Sequence, residues 1–402
     1  MPTSAPRSRR YVRLFLRMLL WAGALLILAV VIVVVDGWRA FGTSATGERR
    51  AHMEASPQYR DGVFVNPQPL WNDVAATVHG FLNKSAYAAP TGPVPIERVD
   101  PVRFTTPPAS GLRVTWLGHS TVLVEIDGFR VLTDPVWGPR ASPLTWLGPA
   151  RWYPPPLALK DLPTIDAIVL SHDHYDHLDH PTIVALNQLR TRWIAPLGVT
   201  AHLVYWGVPA ERITEVDWGD QHTLRHDDGR SLTIHCTESR HASGRHVLDQ
   251  NATLWAGYAL ISAAHRVFFS GDTGLFPGMK AIGKALGPFD LTMIEVGAYH
   301  KAWPDWHIGP EQAVEAHQWL RGKVLLPVHW GLFDLALHGW TEPIERTLAA
   351  ADVAKVAVLT PRPGGSVEPS APPIRLRWWP DVPWQTGAQA PIVSTGVDGR
   401  RP

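Results

Sequence analysis

The densest chemistry in this chain is the run Ser171-His172-Asp173-His174-Tyr175-Asp176-His177-Leu178-Asp179-His180. Imidazole is the commonest metal ligand, and four histidines within nine residues, directly after an apolar segment, are costly to bury without partners. His172 and His174 stand two apart, so in an extended segment both rings can point to one side. Asp176 and His177 follow where the chain turns toward Pro181, and they can reach the same place from another direction. Two nitrogen donors beside a carboxylate–imidazole pair suit two metal ions sharing a site, and borderline ions such as Zn²⁺ accept that donor set. A polar loop capping a helix at Pro181, with Asp179 as N-cap, needs only one of these residues and leaves their spacing unexplained.

A two-ion site needs further donors, and each candidate sits where an apolar run ends. Ala167–Leu170 leads into the cluster itself. Val267–Phe269 opens onto Ser270-Gly271-Asp272-Thr273-Gly274, Val324–Val328 onto His329-Trp330-Gly331, and Leu232–Cys236 onto Thr237-Glu238-Ser239-Arg240-His241. If these runs are strands whose ends share one sheet edge, six or seven ligands converge. The same pattern predicts strands at Leu112–Leu117, Thr121–Ile126 and Phe129–Thr133, the last two joined by an Asp127-Gly128 hairpin turn. Others are expected at Trp193–Ala195, Ile213–Val216, Tyr258–Ile261, Leu291–Glu295 and Val356–Leu359, with helices at Pro181–Leu189, Leu275–Leu286 and Pro310–Leu320. Strands outnumber helices and are interrupted by them, which favours an α/β chain with two packed sheets and helices outside.

Met18 to Val35 is an 18-residue run without a charge, long enough as a helix to span about 27 Å of hydrocarbon. Arg7, Arg9, Arg10, Arg13 and Arg17 precede it with no acidic residue among them, which by the positive-inside rule keeps the N-terminus cytoplasmic and exports the rest. A cleaved signal peptide is the alternative, but the run is long for one and ends in Asp36-Gly37-Trp38-Arg39, a poor cleavage site. With 37 Lys+Arg against 36 Asp+Glu and no basic block, the 402-residue chain does not look like a nucleic-acid binder. Its single cysteine, Cys236, excludes intramolecular disulfides and thiolate-rich zinc sites. Four regions are expected: 1–38, a cytoplasmic N-terminus and transmembrane anchor; 39–110, a linker and Pro-rich strap; 111–365, the catalytic domain; and 366–402, a peripheral Pro/Gly-rich tail.

The order His172-x-His174-x-Asp176-His177, then His241, Asp272 and His329, resembles the signature of the metallo-β-lactamase fold. Within that fold the chain resembles the N-acyl-phosphatidylethanolamine-hydrolysing phospholipase D group. The matching stretches include Phe64-Val65-Asn66-Pro67, Trp116-Leu117-Gly118-His119-Ser120-Thr121, Leu132-Thr133-Asp134-Pro135, Arg140-Ala141-Ser142-Pro143, Gly297-Ala298-Tyr299 and His329-Trp330-Gly331, across roughly residues 60–365. Two departures are Ala242, where the family often has an aromatic, and a slightly short loop from Tyr299 to His307. The resemblance implies an αββα sandwich behind the N-terminal transmembrane helix, and two divalent ions, zinc first. It implies one metal on His172, His174 and His241, the other on Asp176, His177 and His329, with Asp272 bridging, and a metal-bridged hydroxide as nucleophile. Asp176 and Asp272 are thereby also catalytic candidates. So is His307, which matches a pocket-edge histidine of the family and would act on the leaving oxygen or the phosphate; a surface histidine leading into the Pro310 helix is the alternative. For His119, a role supporting the ligands and simple core packing are both open.

The expected activity is that of a membrane-anchored phosphodiesterase cleaving an N-acylated phospholipid to phosphatidic acid and an N-acylethanolamine. A metal-dependent lactonase or carboxylic-ester hydrolase is the alternative, and a non-catalytic envelope scaffold the third reading. The expected partners are a membrane phospholipid and the bilayer, with a homodimer left open and no nucleic acid. Trp137, Trp146, Trp152 and Tyr153 could line an acyl groove or form core, and Arg140, Arg151 and Arg245 could meet phosphate or solvent.

Overall fold

The computed structural model describes residues 7–370, 375–396 and 399–400; residues 1–6 of the expected cytoplasmic segment and eight positions of the expected tail lie outside them. The chain begins with helix α1 (Arg7–Gly37), 31 residues long. Its Tyr11–Gly37 portion is long and apolar enough to cross a membrane, and its apolar 18-residue stretch has no residue buried in the protein. The strap carries more regular structure than its prolines suggest: α2 (Gly47–Ala55), a hairpin of β1 (Tyr59–Arg60) and β2 (Val63–Phe64), and α3 (Val74–Leu82). Met53 and Phe64 from this segment pack with Leu197, Leu254 and Trp255 of the main body.

The first sheet is built from β3 (Leu112–Gly118), β4 (Thr121–Ile126), β5 (Phe129–Thr133), β6 (Ala167–Val169), α4 (His180–Leu186), β7 (Arg192–Pro196), α5 (Val199–Tyr205) and β8 (Ile213–Val216). The second is built from β9 (Gln221–Arg225), β10 (Ser231–Thr237), β11 (Gly257–Ile261), β12 (Arg266–Phe269), α6 (Gly278–Leu286), β13 (Phe289–Glu295), α7 (Pro310–Trp319), β14 (Gly322–Val328), α8 (Glu342–Ala354) and β15 (Ala357–Val358). The final strand, β16 (Ser366–Val367), returns to the first sheet beside β3. The sheet orders are β16-β3-β4-β5-β6-β7-β8 and β15-β14-β13-β12-β11-β10-β9. Each half runs antiparallel first and then parallel, from β5 to β8 and from β12 to β15.

Strand periodicity explains the layers. In β4, Val122, Val124 and Ile126 face the core shared by the two sheets, whereas Leu123 joins the outer cluster with Leu132, Ile168 and Trp193. Successive side chains point to opposite faces, and strands buried on both faces read as continuous apolar runs rather than alternating ones. Ile183 and Leu186 of α4 and Leu203 of α5 cover that outer face, while α7 packs on β13 and β14. The result is the expected helix–sheet–sheet–helix sandwich. The tail, however, is not peripheral: Trp378 and Trp379 are buried in the main core. Their rings lie 5.2 and 5.5 Å from that of Trp330, which in turn stacks 5.4 Å from Trp116.

Candidate metal centre

The parallel strands of both sheets release their chemistry at the same ends. Asp134 follows β5, His172 to His177 follow β6, Asp272 follows β12, Glu295 closes β13 and His329 follows β14. His119 leaves β3, and His241 lies four residues after β10. A backbone hydrogen bond from His329 N to His119 O, 3.1 Å, ties the two sheets together there. His119, Asp134 and His329 adopt φ of 53°, 34° and 63°, a left-handed backbone that non-glycine residues rarely take. Such conformations concentrate at functional sites and are held by the surrounding fold.

All seven residues expected as ligands come together, in two groups. In the first, His174 Nδ1 lies 2.9 Å from His172 Nε2 and 3.3 Å from His241 Nε2, with Asp272 Oδ2 at 3.8 and 3.7 Å from those two Nε2 atoms. In the second, Asp176 Oδ2 lies 2.9, 3.2 and 3.4 Å from Nε2 of His119, His329 and His177. Asp272 Oδ2 is 3.1 Å from Nε2 of both His177 and His329, so a single carboxylate oxygen faces both groups.

The far nitrogens are held from outside. His241 Nδ1 donates to Trp306 O at 2.7 Å, His177 Nδ1 pairs with Asp134 Oδ2 at 2.7 Å, and His172 Nδ1 with Ser171 Oγ at 2.9 Å. Asp134 also accepts from Ser171 N and Oγ, at 2.7 and 2.6 Å. The strap contributes too, because the Asn66 amide brackets the His241 backbone, donating to its carbonyl at 2.7 Å and accepting from its N–H at 3.2 Å. Partners of this kind fix ring orientation at metal sites.

The residues fit a pair of divalent ions. His177 Nε2 and Asp272 Oδ1 are buried and find no hydrogen-bond partner among the described residues. Unpaired polar atoms in such a place are costly, whereas nitrogen and carboxylate oxygen together form a donor set suited to zinc-like cations. The electrostatics point the same way. Burial raises Asp176 and Asp272, but His177 and the other imidazoles hold both well below the usual carboxylate range. Burial opposes charge on His329, yet Asp272 and its neighbours lift it to about 10. The two carboxylates thus favour positive charge between them. His119 is the opposite case: burial, reinforced by His329, lowers it to about 3, so its neutral ring serves as a donor to Asp176. Of its two open readings, the geometry favours support of a ligand.

Glu295 carries a role the sequence reading missed. Its Oε2 lies 2.8 Å from His307 Nδ1 and 3.7 Å from His329 Nδ1, while Oε1 accepts from Thr273 N and Ile308 N. Burial, with the charge of Asp272 adding to it, raises the Glu295 carboxyl. His307 stands at the rim of the centre, its Nδ1 3.8 Å from Asp272 Oδ2. It therefore belongs to the centre rather than to the outer surface. Asp134 and Glu295 show the same signal as Asp272, a carboxylate at or just past the end of a buried strand.

The arginines and aromatics divide. Arg245 is buried and committed to backbone carbonyls, and Arg151 binds Tyr153 O at 2.9 Å; neither is a solvated surface charge. Tyr153 is buried in the core, Trp152 packs against it, and Trp137 donates to Leu157 O, whereas Trp146 is exposed. A cavity of about 760 Å³, lined by Tyr299, His300, His338 and Trp384, adjoins a small cleft against His119 and His329, with His338 shared by both.

The chain is similar to several known proteins. A family profile described as "Beta-lactamase superfamily domain" matches residues 129–330. An uncharacterized protein of Mycobacterium tuberculosis is 46% identical over 340 residues, covering 82% of this chain and 89% of that one. The N-acyl-phosphatidylethanolamine-hydrolyzing phospholipase D 1 of Caenorhabditis elegans is 42% identical over 234 residues, 56% of this chain and 65% of the worm protein. Among solved structures, a metallo hydrolase of the archaeon Ignicoccus hospitalis aligns over 64% of this chain and 97% of its own, at 23% identity and a TM-score of 0.48.

Proposed function

Because the chain belongs to the metallo-β-lactamase superfamily of metal-dependent hydrolases, we propose that it is a membrane-anchored phosphodiesterase of the phospholipase D type. Its substrate is an N-acylated phosphatidylethanolamine, and its products are phosphatidic acid and an N-acylethanolamine. The observation that carries this reading is the pair of imidazole–carboxylate groups facing one Asp272 oxygen, a layout suited to two cations about one reacting centre. Likeness to the worm enzyme supports the choice of bond.

His172, His174 and His241 would hold one ion and Asp176, His177 and His329 the other, with Asp272 between them. Two divalent ions, zinc first, when bound lower the pKa of water and offer positive charge to phosphoryl oxygens. The chain's own groups do the rest. His119 Nε2 steadies Asp176, which is placed to orient a water or take its proton. Glu295 accepts from His307 Nδ1, and a carboxylate there supports the doubly protonated ring, which would have a second N–H, at Nε2, to give to the leaving oxygen or to the phosphate. The 760 Å³ cavity lies within the range of ligand pockets. Beside it α3 exposes Val74, Val78, Phe81 and Leu82, an apolar surface suited to acyl chains.

Helix α1 supports a single-pass anchor with the N-terminus cytoplasmic and the catalytic domain exported, as the arginines before the span suggest. The test is a parallel assay of metal-replete protein on N-acyl-phosphatidylethanolamine, a simple aryl phosphodiester and a panel of lactones. Phosphodiester turnover is expected; lactone turnover alone would replace this reading with that of a lactonase.

A further inference from the structure

The last turn of α1 is fastened to the domain. Asp36 accepts from Thr145 N at 2.8 Å and Thr145 Oγ1 at 3.1 Å. Arg245 Nε donates to Ala40 O and Trp206 Nε1 to Arg39 O, each at 2.7 Å. Between these contacts lies a cavity of about 270 Å³, lined by Asp36, Arg39, Arg140, Asp179, His180 and Arg245 among others. Arg245 is only 3% exposed. Its Nε and Nη1 serve the carbonyls of Ala40, Asp173 and Leu178, but Nη2 is buried and has no partner among the described residues. The two carboxylates here are already engaged, Asp36 by Thr145 and Asp179 by Gly138 N and Thr182 N. Arg140 already serves the carbonyls of Thr145 and Gly148, so the guanidinium nitrogens left for an anion are Arg245 Nη2, beside the Tyr175 and Trp206 rings, and those of Arg39, which lies over Trp38. A guanidinium N–H pairs well with phosphate.

We propose that this cavity binds the phosphate of a membrane phospholipid headgroup, separately from the lipid being hydrolysed. The proposal rests on α1 spanning the bilayer: a helix that crosses to Gly37 places the cavity at headgroup depth. Exposed apolar side chains surround the same point. Trp38 follows the helix, Trp146 and Leu147 adjoin Thr145, and the Phe41 ring, 6.0 Å from His246, sets Val247 and Leu248 close by at 88% and 89% exposure. Aromatic and aliphatic residues of this kind favour the membrane interface. At about 270 Å³ the cavity is smaller than the ~300 Å³ lower bound of ordinary ligand pockets, so it suits a headgroup whose chains stay in the bilayer.

The site also touches the catalytic loop. Arg245 holds the carbonyls of Asp173 and Leu178, which bracket His174, Asp176 and His177, and its guanidinium lies 4.1 Å from the Tyr175 ring. A headgroup bound to Nη2 would thus be read by the side chain that positions this loop.

Full-length, metal-replete protein, stripped of lipid in detergent, is examined by native mass spectrometry with phosphatidylglycerol, phosphatidylethanolamine or inorganic phosphate in separate arms. One phospholipid per chain is expected to be retained. Reversing one charge in Arg39→Glu should weaken retention about tenfold, with an unchanged thermal midpoint as the fold control and Arg39→Ala as a milder second variant. A label at Val247→Cys or Leu248→Cys should be quenched by brominated lipid in vesicles, while one at Val353→Cys on α8 should not. Phosphate binding with no lipid retained, or lipid retention untouched by both Arg39 variants, overturns the proposal. Those results with α1 still resisting alkaline extraction would overturn this site alone; release of α1 from the membrane overturns the anchor reading on which it rests.

Discussion

Asp272 Oδ2 lies 3.1 Å from two imidazole nitrogens and 3.7 and 3.8 Å from two more, so a change there alters both groups at once. Asp272→Asn keeps the shape and removes the charge. It is expected to abolish turnover and lower bound metal while circular dichroism stays that of the parent; full activity with parental metal content would sink the proposed bridging role. Glu295 calls for a different readout. Glu295→Gln keeps a hydrogen-bond acceptor for His307 but not a charged one, and should lower kcat about 10–100-fold, the usual cost of losing an outer partner. KM and metal content should hold; a parallel loss of metal would make Glu295 a ligand or a structural prop instead. His172, His174, Asp176 and His177 were legible because four donors crowd one short segment. Glu295 was not, since an acidic residue closing an apolar strand looks like ordinary strand termination until His307 is seen beside it. Asp134 was quoted within a matching stretch without a role, for the same reason: its partner His177 is 43 residues away in sequence.

Among elements, buried strands were the most readable, because a strand covered on both faces is an unbroken apolar run. Strands β4, β5 and β8 fall where the pattern puts them. Strand β9, Gln-His-Thr-Leu-Arg at the sheet edge, was missed because its partly exposed positions carry polar residues. Helix α5, at seven residues, is too short to show a helical period, and α8 was missed although its sequence is at least as amphipathic as that of the expected α7. The tail was misjudged because its Pro/Gly content hid Trp378 and Trp379, whose burial depends on partners far back in the chain. Trp378→Ala should cost about 3–5 kcal/mol in denaturant unfolding, the range for emptying a buried Trp site. It should also lower activity, since Trp330 lies between this cluster and His329. A loss under about 1 kcal/mol, the scale of surface substitutions, would return the tail to the periphery. For α1, alkaline washing should leave full-length protein in the membrane; release would end the anchor reading.

For the whole molecule, the centre is where two similarly ordered half-sandwiches meet, so bound ions would bridge the two sheets. A ligand that binds only the folded state at a thousand times its Kd adds about 4 kcal/mol, and chelation should therefore lower the thermal midpoint by roughly 10 °C. Restoring zinc should recover the shift as metal approaches about two ions per chain, the number a paired site requires; an unmoved midpoint together with no bound metal under replete conditions would remove the metal centre from the account. Which bond breaks is the central claim. Hydrolysis of N-acyl-phosphatidylethanolamine in ¹⁸O-labelled water tests it most directly, because the position of the label reports the atom attacked. Attack at phosphorus on the headgroup side places the label in phosphatidic acid. Label in a released fatty acid or in N-acylethanolamine would contradict it.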